Sequence, residues 1–177
     1  MSKARLATVW LDGCSGCHMS LLDMDERLID VLGQVDLVYS PLVDVKEYPH
    51  DVDVVLVEGA VSSEEDAEKI LKIRKRTKIV VSLGDCAVTS NVPSMRNRFK
   101  IEEVEHRAFI ENAQNNPQVP RQVIPRLLPH SRPVHEFVKV DVFVPGCPPE
   151  ADTIYFVLTE LLAGRLPDLS GKTHFGA

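Results

Sequence analysis

Four cysteines are the residues of this 177-residue sequence best suited to carry chemistry. Cys14 and Cys17 form a Cys-x-x-Cys pair, and Cys86 and Cys147 follow after 68 and 60 intervening residues. Cysteine sulfur binds zinc and iron–sulfur clusters, and a close pair of thiols can also exchange with disulfides. The first pair alone is compatible with a redox dithiol, half of a zinc site or half of an iron–sulfur site. The positions of the other cysteines in the fold are needed to distinguish these three sites.

Five apolar runs rich in β-branched residues predict the strands that position these cysteines. Nearly continuous hydrophobic runs are typical of strands that are covered on both faces. The runs are residues 5–11, 35–40, 52–58, 78–83 and 140–144. Helical patterns lie between them, and this alternation predicts a single α/β domain with a doubly wound, mostly parallel sheet and right-handed crossovers.

Apolar spacing and capping residues predict the helices. A stripe of period 3.6 covers residues 21–32 and stops at Gly33, and Ser62 with Glu65 forms a capping box before a second stripe. Residues 101–114 form a third helical pattern. The last helix opens after Pro148 and ends near Gly164, which suits a helix C-terminus.

The prolines mark an irregular segment within this domain of residues 1–177. The segment spans about 116–135 and holds five of the 12 prolines, so it cannot form regular helix or a central strand. A disordered linker is one interpretation. The apolar residues among the prolines favour an extended segment that lies against an apolar surface, such as a partner subunit.

Each cysteine follows the C-terminal end of a predicted strand. These ends share one edge of a parallel sheet, where open α/β folds bind their ligands, so the four thiols are expected in one pocket. Glycines precede every cysteine, and glycine lets the backbone approach a bulky cofactor. We expect backbone amides near Gly13, Gly16 and Gly84 to surround the cofactor as hydrogen-bond donors.

Ligand spacing separates the candidate chemistries. Structural zinc usually draws on two close ligand pairs, whereas this chain has one pair and two distant single cysteines. A redox dithiol would leave Cys86 and Cys147 without a role. The pattern therefore favours one all-cysteine iron–sulfur cluster, most naturally [4Fe-4S], in an electron-transfer module that needs partners.

Composition and missing motifs exclude several other functions. The net charge of −6, from 20 basic and 26 acidic side chains, argues against a nucleic-acid partner. No apolar run is long enough to span a membrane and no signal peptide or twin-arginine motif is visible, which predicts a cytoplasmic protein. The sequence lacks Gly-rich nicotinamide and triphosphate motifs. FMN at the same sheet edge stays open, although Cys14 and Cys17 occupy the loop that would cradle its phosphate.

Four segments together resemble the small subunit of [NiFe] hydrogenases. They read WLDGCSGCHMSLLD, VEGAV, GDCAVTSNVPSMRN and VPGCPPEAD, in the order typical of that family. The resemblance implies a flavodoxin-like fold and one proximal [4Fe-4S] cluster bound by four cysteines, which are Cys14, Cys17, Cys86 and Cys147. It also implies electron transfer from a Ni-Fe centre in a large partner subunit.

The short form of the chain most resembles the cytoplasmic NAD-reducing subgroup. That likeness implies an H2:NAD+ oxidoreductase, in which diaphorase subunits with flavin and iron–sulfur groups reduce NAD+. Gly13 stands where many hydrogenases have a glutamate for proton transfer, so Asp12 and Glu58 are the acidic candidates for that role.

Two other functions remain as alternatives. Cluster subunits of complex I and of ferredoxin- or quinone-linked oxidoreductases are similar, but complex I typically has two adjacent cysteines where this chain has Cys14-Ser15-Gly16-Cys17. A zinc-stabilised interaction module without redox activity is the third interpretation.

Overall fold

A five-stranded parallel sheet forms the centre of the protein. The structure is a computed structural model that describes residues 3–176, so residues 1, 2 and 177 of the expected domain lie outside it. The strands are β1 (Ala4–Trp10), β2 (Val35–Tyr39), β3 (Val52–Glu58), β5 (Thr77–Leu83) and β7 (Val142–Val144). Their order is β2-β1-β3-β5-β7, and every neighbouring pair is parallel. The predicted doubly wound α/β class is confirmed, and the order is the one typical of flavodoxin-like folds.

Six α-helices and one small ribbon surround this sheet in the described residues. The helices are α1 (Gly16–Leu22), α2 (Arg27–Gln34), α3 (Glu64–Arg76), α4 (Asp85–Thr89), α5 (Ile101–His106) and α6 (Ala151–Leu162). Residues Val92–Arg98 and Val134–Glu136 are 3₁₀-helical, and a π-helical turn at Arg107–Glu111 continues α5. The ribbon pairs β4 (Val61–Ser63) with β6 (Leu127–Arg132) in antiparallel orientation.

The core consists of two apolar layers, one on each face of the sheet. On one face, Leu56 and Leu83 belong to the layer that contains Ile154 and Leu158 of α6. On the other face, the strand side chains that point away from this layer pack with α3. All five predicted strands are confirmed within two residues, and burial on both faces explains the continuous apolar run of β3.

Two helix predictions were wrong in detail. The stripe over residues 21–32 belongs to two helices, because the chain turns after Leu22 and Asp25 adopts the left-handed region with φ 51°. Gly33 lies inside α2 and does not end it. The capping box exists one residue later than predicted, since the Ser63 side chain accepts the Asp66 N–H and the Asp66 carboxylate accepts the Ser63 N–H.

Part of the proline-rich segment is more regular than expected. Residues 112–126 contain no helix or strand, but residues 127–132 form β6. Neither strand of a two-stranded ribbon is central, so Pro129 is tolerated there. Hydrogen bonds also connect the ribbon to the 3₁₀-helix of residues Val92–Arg98. Arg96 donates to the Leu128 carbonyl at 3.0 Å, and Asn97 exchanges two hydrogen bonds with Ser131.

Candidate metal centre

The four cysteines are carried by loops and helix starts at the C-terminal edge of the sheet. Cys14 lies in the loop after β1, and Cys17 lies in the first turn of α1. Cys86 belongs to α4, directly after β5, and Cys147 lies in the loop between β7 and α6. Strand β3 separates β1 from β5, and β7 is the next neighbour of β5.

Close packing brings the loop after β5 against the first cysteine pair. A Cβ atom added to Gly84 would lie 2.2 Å from the Cys17 Sγ, and one added to Gly16 would lie 3.3 Å from the Cys14 Sγ. Gly84 also has a φ of 82°, which only glycine adopts at low cost. The loop after β5 can therefore approach the first cysteine pair only because residue 84 has no side chain.

Burial and mutual repulsion make the inner thiols weak acids. Desolvation raises the pKa of Cys17, and negative charge on Glu58 and on the other three cysteines raises it further. Desolvation also raises the pKa of Cys86 to about 11, against the opposing effect of the Val92 backbone N–H. The net effect favours the neutral thiol at Cys17 and Cys86, and a bound metal group would have to stabilise the thiolate form.

Two hydrogen-bond donors to sulfur come from the start of the 3₁₀-helix. The Asn91 side-chain amide donates to the Cys147 Sγ at 3.7 Å, and the Val92 N–H favours the Cys86 thiolate. Neither residue was singled out from the sequence. The N–H of Gly84, which we expected to face the cofactor, donates instead to the Val144 carbonyl at 2.8 Å. The absence of a side chain at Gly84 leaves room for the Cys17 thiol.

The chemistry of the four side chains indicates the kind of group that fits. All four cysteines are free, and within residues 3–176 no three Cys, His, Asp or Glu side chains converge closely enough to hold a single metal ion. Tetrahedral zinc with Zn–S distances of about 2.3 Å would bring its sulfurs within about 4 Å of each other. The donor set consists of four thiols, one close pair and two distant single cysteines, which fits an iron–sulfur cluster bound by cysteines alone.

The two acidic candidates differ in their surroundings. The Glu58 side chain is buried and forms a short hydrogen bond with His18 Nδ1, and its Oε2 also accepts the His18 backbone N–H at 2.9 Å. Asp12 is exposed, and its backbone bridges to Ala60. His18 is buried as well, and its Nε2 has no hydrogen-bond partner.

Comparison with known proteins places the chain in a family. The profile described as NADH ubiquinone oxidoreductase, 20 Kd subunit, matches residues 14–161, which include all four cysteines. The chain belongs to this family. Among its described helices, none combines the length and apolar character needed to cross a membrane.

Hydrogenase subunits are among the relatives by sequence. The chain is 43% identical over 172 residues to the NAD-reducing hydrogenase HoxS subunit delta of Cupriavidus necator, and the match covers 94% of this chain and 82% of that protein. It is 38% identical to a subunit of the F420-non-reducing hydrogenase vhu of Methanocaldococcus jannaschii, with 95% of this chain and 59% of that one covered. The chain thus spans about three fifths of the length of the Methanocaldococcus protein.

Solved structures extend the likeness to the whole described fold. A chain in the crystal structure of an NAD+-reducing [NiFe]-hydrogenase in the H2-reduced state superposes with a TM-score of 0.93 at 38% identity, covering 98% of this chain and 99% of that one. A [NiFeSe]-hydrogenase chain of Dm. baculatum gives a TM-score of 0.59 at 20% identity, which shows a shared fold. The resemblance to hydrogenase small subunits, with the NAD-reducing subgroup foremost, is confirmed.

Proposed function

We propose that this chain is the electron-transfer small subunit of an NAD-reducing [NiFe] hydrogenase. The observation that supports the proposal is the placement of four free cysteines after three strands that end at one edge of the sheet. The 43% identity to an NAD-reducing hydrogenase subunit, over 94% of the chain, favours a hydrogenase over the complex I alternative.

Cys14, Cys17, Cys86 and Cys147 would hold one [4Fe-4S] cluster, which supplies one-electron transfer when it is bound. Asn91 and Val92 would donate hydrogen bonds to its thiolate ligands. Burial of Cys17, together with the partly buried Cys86 and Cys147, would limit access of water to the inner side of the site. Cys14 is exposed, so the site is open on the side where a partner would approach.

The proposal includes partners in which the other chemistry takes place. A large subunit with the Ni-Fe centre would oxidise H2, and diaphorase subunits with flavin and iron–sulfur groups would reduce NAD+. This chain would relay electrons between them from a cytoplasmic location. No feature of the described residues indicates an FMN site of its own, and the loop after β1 is occupied by the cysteine pair.

Replacement of Cys147 by alanine tests the ligand set. We expect the complex, purified anaerobically with its partners, to lose iron and acid-labile sulfide and to lose H2-dependent NAD+ reduction, because one of four ligands is missing. NADH oxidation with a dye should survive, since it needs only the diaphorase.

Ser82→Ala is a suitable control, because the Ser82 hydroxyl is buried without a hydrogen-bond partner near the C-terminal end of β5, the strand next to β7. This variant should keep its cluster. A Cys147→Ala complex with normal iron content and normal H2-to-NAD+ rates would remove Cys147 from the ligand set. A wild-type preparation that holds zinc without iron would overturn the proposed function.

We propose that Glu58 transfers protons through its Oε atoms. Asp12, which lies in the loop after β1, is the exposed alternative. Glu58 lies against that loop, since its Oε1 is 3.6 Å from a Cβ position on Gly13. We expect Glu58→Gln to slow H2-dependent dye reduction and to raise its solvent deuterium isotope effect while the cluster content is unchanged. An unchanged rate and isotope effect would contradict this role, and Asp12→Asn would then be the variant to measure.

A further inference from the structure

A buried carboxylate next to Cys86 connects three separate parts of the chain. Asp85 is 5% exposed, and both of its oxygens accept hydrogen bonds from backbone N–H groups that lie outside the sheet. Its Oδ1 accepts the Gly146 N–H at 2.7 Å, and its Oδ2 accepts the Gly176 N–H at 2.7 Å. Hydrogen bonds of this kind, from a backbone N–H to a carboxylate, are stronger than those between neutral groups.

Two backbone hydrogen bonds close this arrangement into a ring. The Asp85 N–H donates to the Gly146 carbonyl at 2.9 Å, and the Cys147 N–H donates to the Gly176 carbonyl at 2.9 Å. Asp85 is the residue before Cys86, and Gly146 is the residue before Cys147. The ring therefore fixes the separation of two cysteines that come from different strands.

The third member of the ring, Gly176, belongs to a segment that packs against the Cys147 loop. Residues 170–176 contain no helix or strand, yet they are held at a second point, where the Thr153 hydroxyl donates to the Lys172 carbonyl at 3.0 Å. The Lys172 ammonium also lies 4.5 Å from the centre of the Phe156 ring. Both contacts join the segment to α6, and Asp85 joins it to the Cys147 loop.

We propose that Asp85 is a positioning residue for the cluster, which holds the Cys86 loop, the Cys147 loop and residues 170–176 at the spacing that the four cysteines need. The inference rests on the proposed function, because it assigns the carboxylate a role toward the bound cluster. An asparagine cannot replace it, since an amide has a single acceptor oxygen and its NH2 group would face one of the two backbone N–H groups.

Asp85→Asn and Asp141→Asn form the matched pair that tests the proposal. Asp141 also accepts a backbone N–H, from Val80 at 2.9 Å, but it lies before the N-terminal end of β7, beside the middle of β5, and not at the end of β7 that leads to Cys147. Both variants are prepared anaerobically in the complete complex. Iron and sulfide content, the EPR spectrum of the reduced cluster, hydrogen–deuterium exchange and thermal unfolding are then measured.

We expect Asp85→Asn to shift or broaden the cluster EPR spectrum, or to lower the iron content. Peptides containing Gly146 or Gly176 should exchange roughly 10- to 100-fold faster, as the loss of a charge-assisted hydrogen bond predicts. Asp141→Asn should lower the unfolding temperature and leave the EPR spectrum and iron content unchanged. An Asp85→Asn complex with a normal spectrum and normal iron content would overturn the proposal, whatever its unfolding temperature.

Thr153→Val keeps the inference testable if Asp85→Asn does not fold. It removes only the hydrogen bond from the Thr153 hydroxyl to the Lys172 carbonyl. Hydrogen–deuterium exchange of residues 170–176 should therefore accelerate, and the EPR spectrum should change. Faster exchange with an unchanged spectrum would show that this segment does not position the cluster. A wild-type complex without iron would overturn the proposed function itself, whereas a wild-type cluster unaffected by Asp85→Asn would overturn the role of Asp85 alone.

Discussion

Asn91 is the residue through which the chain has the most direct influence on the proposed cluster's potential. Its side-chain amide reaches the Cys147 Sγ, and the next residue, Val92, supplies a backbone N–H for Cys86. Hydrogen bonds to sulfur are one of the factors that set cluster potentials. An N–H group stabilises the reduced, more negative cluster more than the oxidised one, so each donor raises the potential.

Asn91→Leu should therefore make the cluster a stronger reductant. Leucine has a similar size but no donor, and we expect the potential to fall by about 40 mV, the one-electron equivalent of about 1 kcal/mol. An EPR-monitored redox titration of the complex measures the change. Asn115→Leu, on the exposed stretch before Pro117, should have no effect, and a potential that rises or stays constant in Asn91→Leu would contradict the expectation.

The cysteines and their supporting residues differ in how well the sequence reveals them. Each cysteine follows a recognisable strand, so its place at the sheet edge could be predicted from strand positions alone. Asp85 and Asn91 act through contacts with residues 61, 91 and 56 positions away in the chain. Such contacts depend on how loops meet after folding, and no local pattern encodes them.

Among the elements, α3, β5 and β7 are joined by one carboxylate. Asp141 accepts the Val80 N–H at 2.9 Å and a guanidinium hydrogen of Arg74 at 2.5 Å. Burial opposes its ionisation, but the Val80 N–H and the Arg74 guanidinium outweigh that effect and lower the pKa of Asp141 below its usual range. The contact holds the last residue before β7 against the middle of the sheet.

Asp141→Asn should destabilise the protein in a pH-dependent manner. A lowered pKa means that the carboxylate stabilises the fold above the unfolded value of about 3.9 and loses this effect as the pH falls through the folded value. We expect the free energy of unfolding to drop by about 1–3 kcal/mol at pH 7, and the difference from wild type to shrink below about pH 4.

Urea unfolding at pH 7 and pH 3 provides the measurement. Asp152→Asn is the control, because the Asp152 carboxylate is 79% exposed and its ion pair with Arg27 should contribute little. Equal destabilisation by Asp141→Asn at both pH values would show that the charge is not what stabilises the contact.

Strands were easier to predict than helix ends for a physical reason. A strand covered on both faces needs apolar residues throughout, and this run is visible in the sequence. The break between α1 and α2 depends on Asp25 in the left-handed region, and Leu21 and Leu28 remain apolar on either side of it. The apolar spacing therefore continues across the turn between α1 and α2, and the sequence pattern alone does not predict that turn.

At the scale of the whole molecule, one exposed apolar loop stands apart from the core. Val123 has a fully exposed side chain and a φ of 68°, which is rare for a β-branched residue, and Ile124 is 48% exposed. The loop is held on both sides, because Arg121 forms two hydrogen bonds with Glu105, at 2.8 and 3.2 Å, and the Arg126 carbonyl accepts the Glu64 N–H at 2.9 Å. We therefore expect a partner to cover these two apolar side chains in the assembled complex.

Val123→Ser combined with Ile124→Ser should weaken the association with the large subunit or the diaphorase by roughly tenfold, because two apolar side chains would lose their burial in the complex. The unfolding temperature of the isolated chain should stay the same, since neither side chain belongs to the core. Binding of each partner is measured separately with purified subunits. Ile29→Ser on α2 is the control, because Ile29 is 71% exposed on a different element. If both partners bound the double variant as tightly as wild type, the exposed apolar loop would have no part in assembly. The exposed face around Cys14 would then be the surface to test.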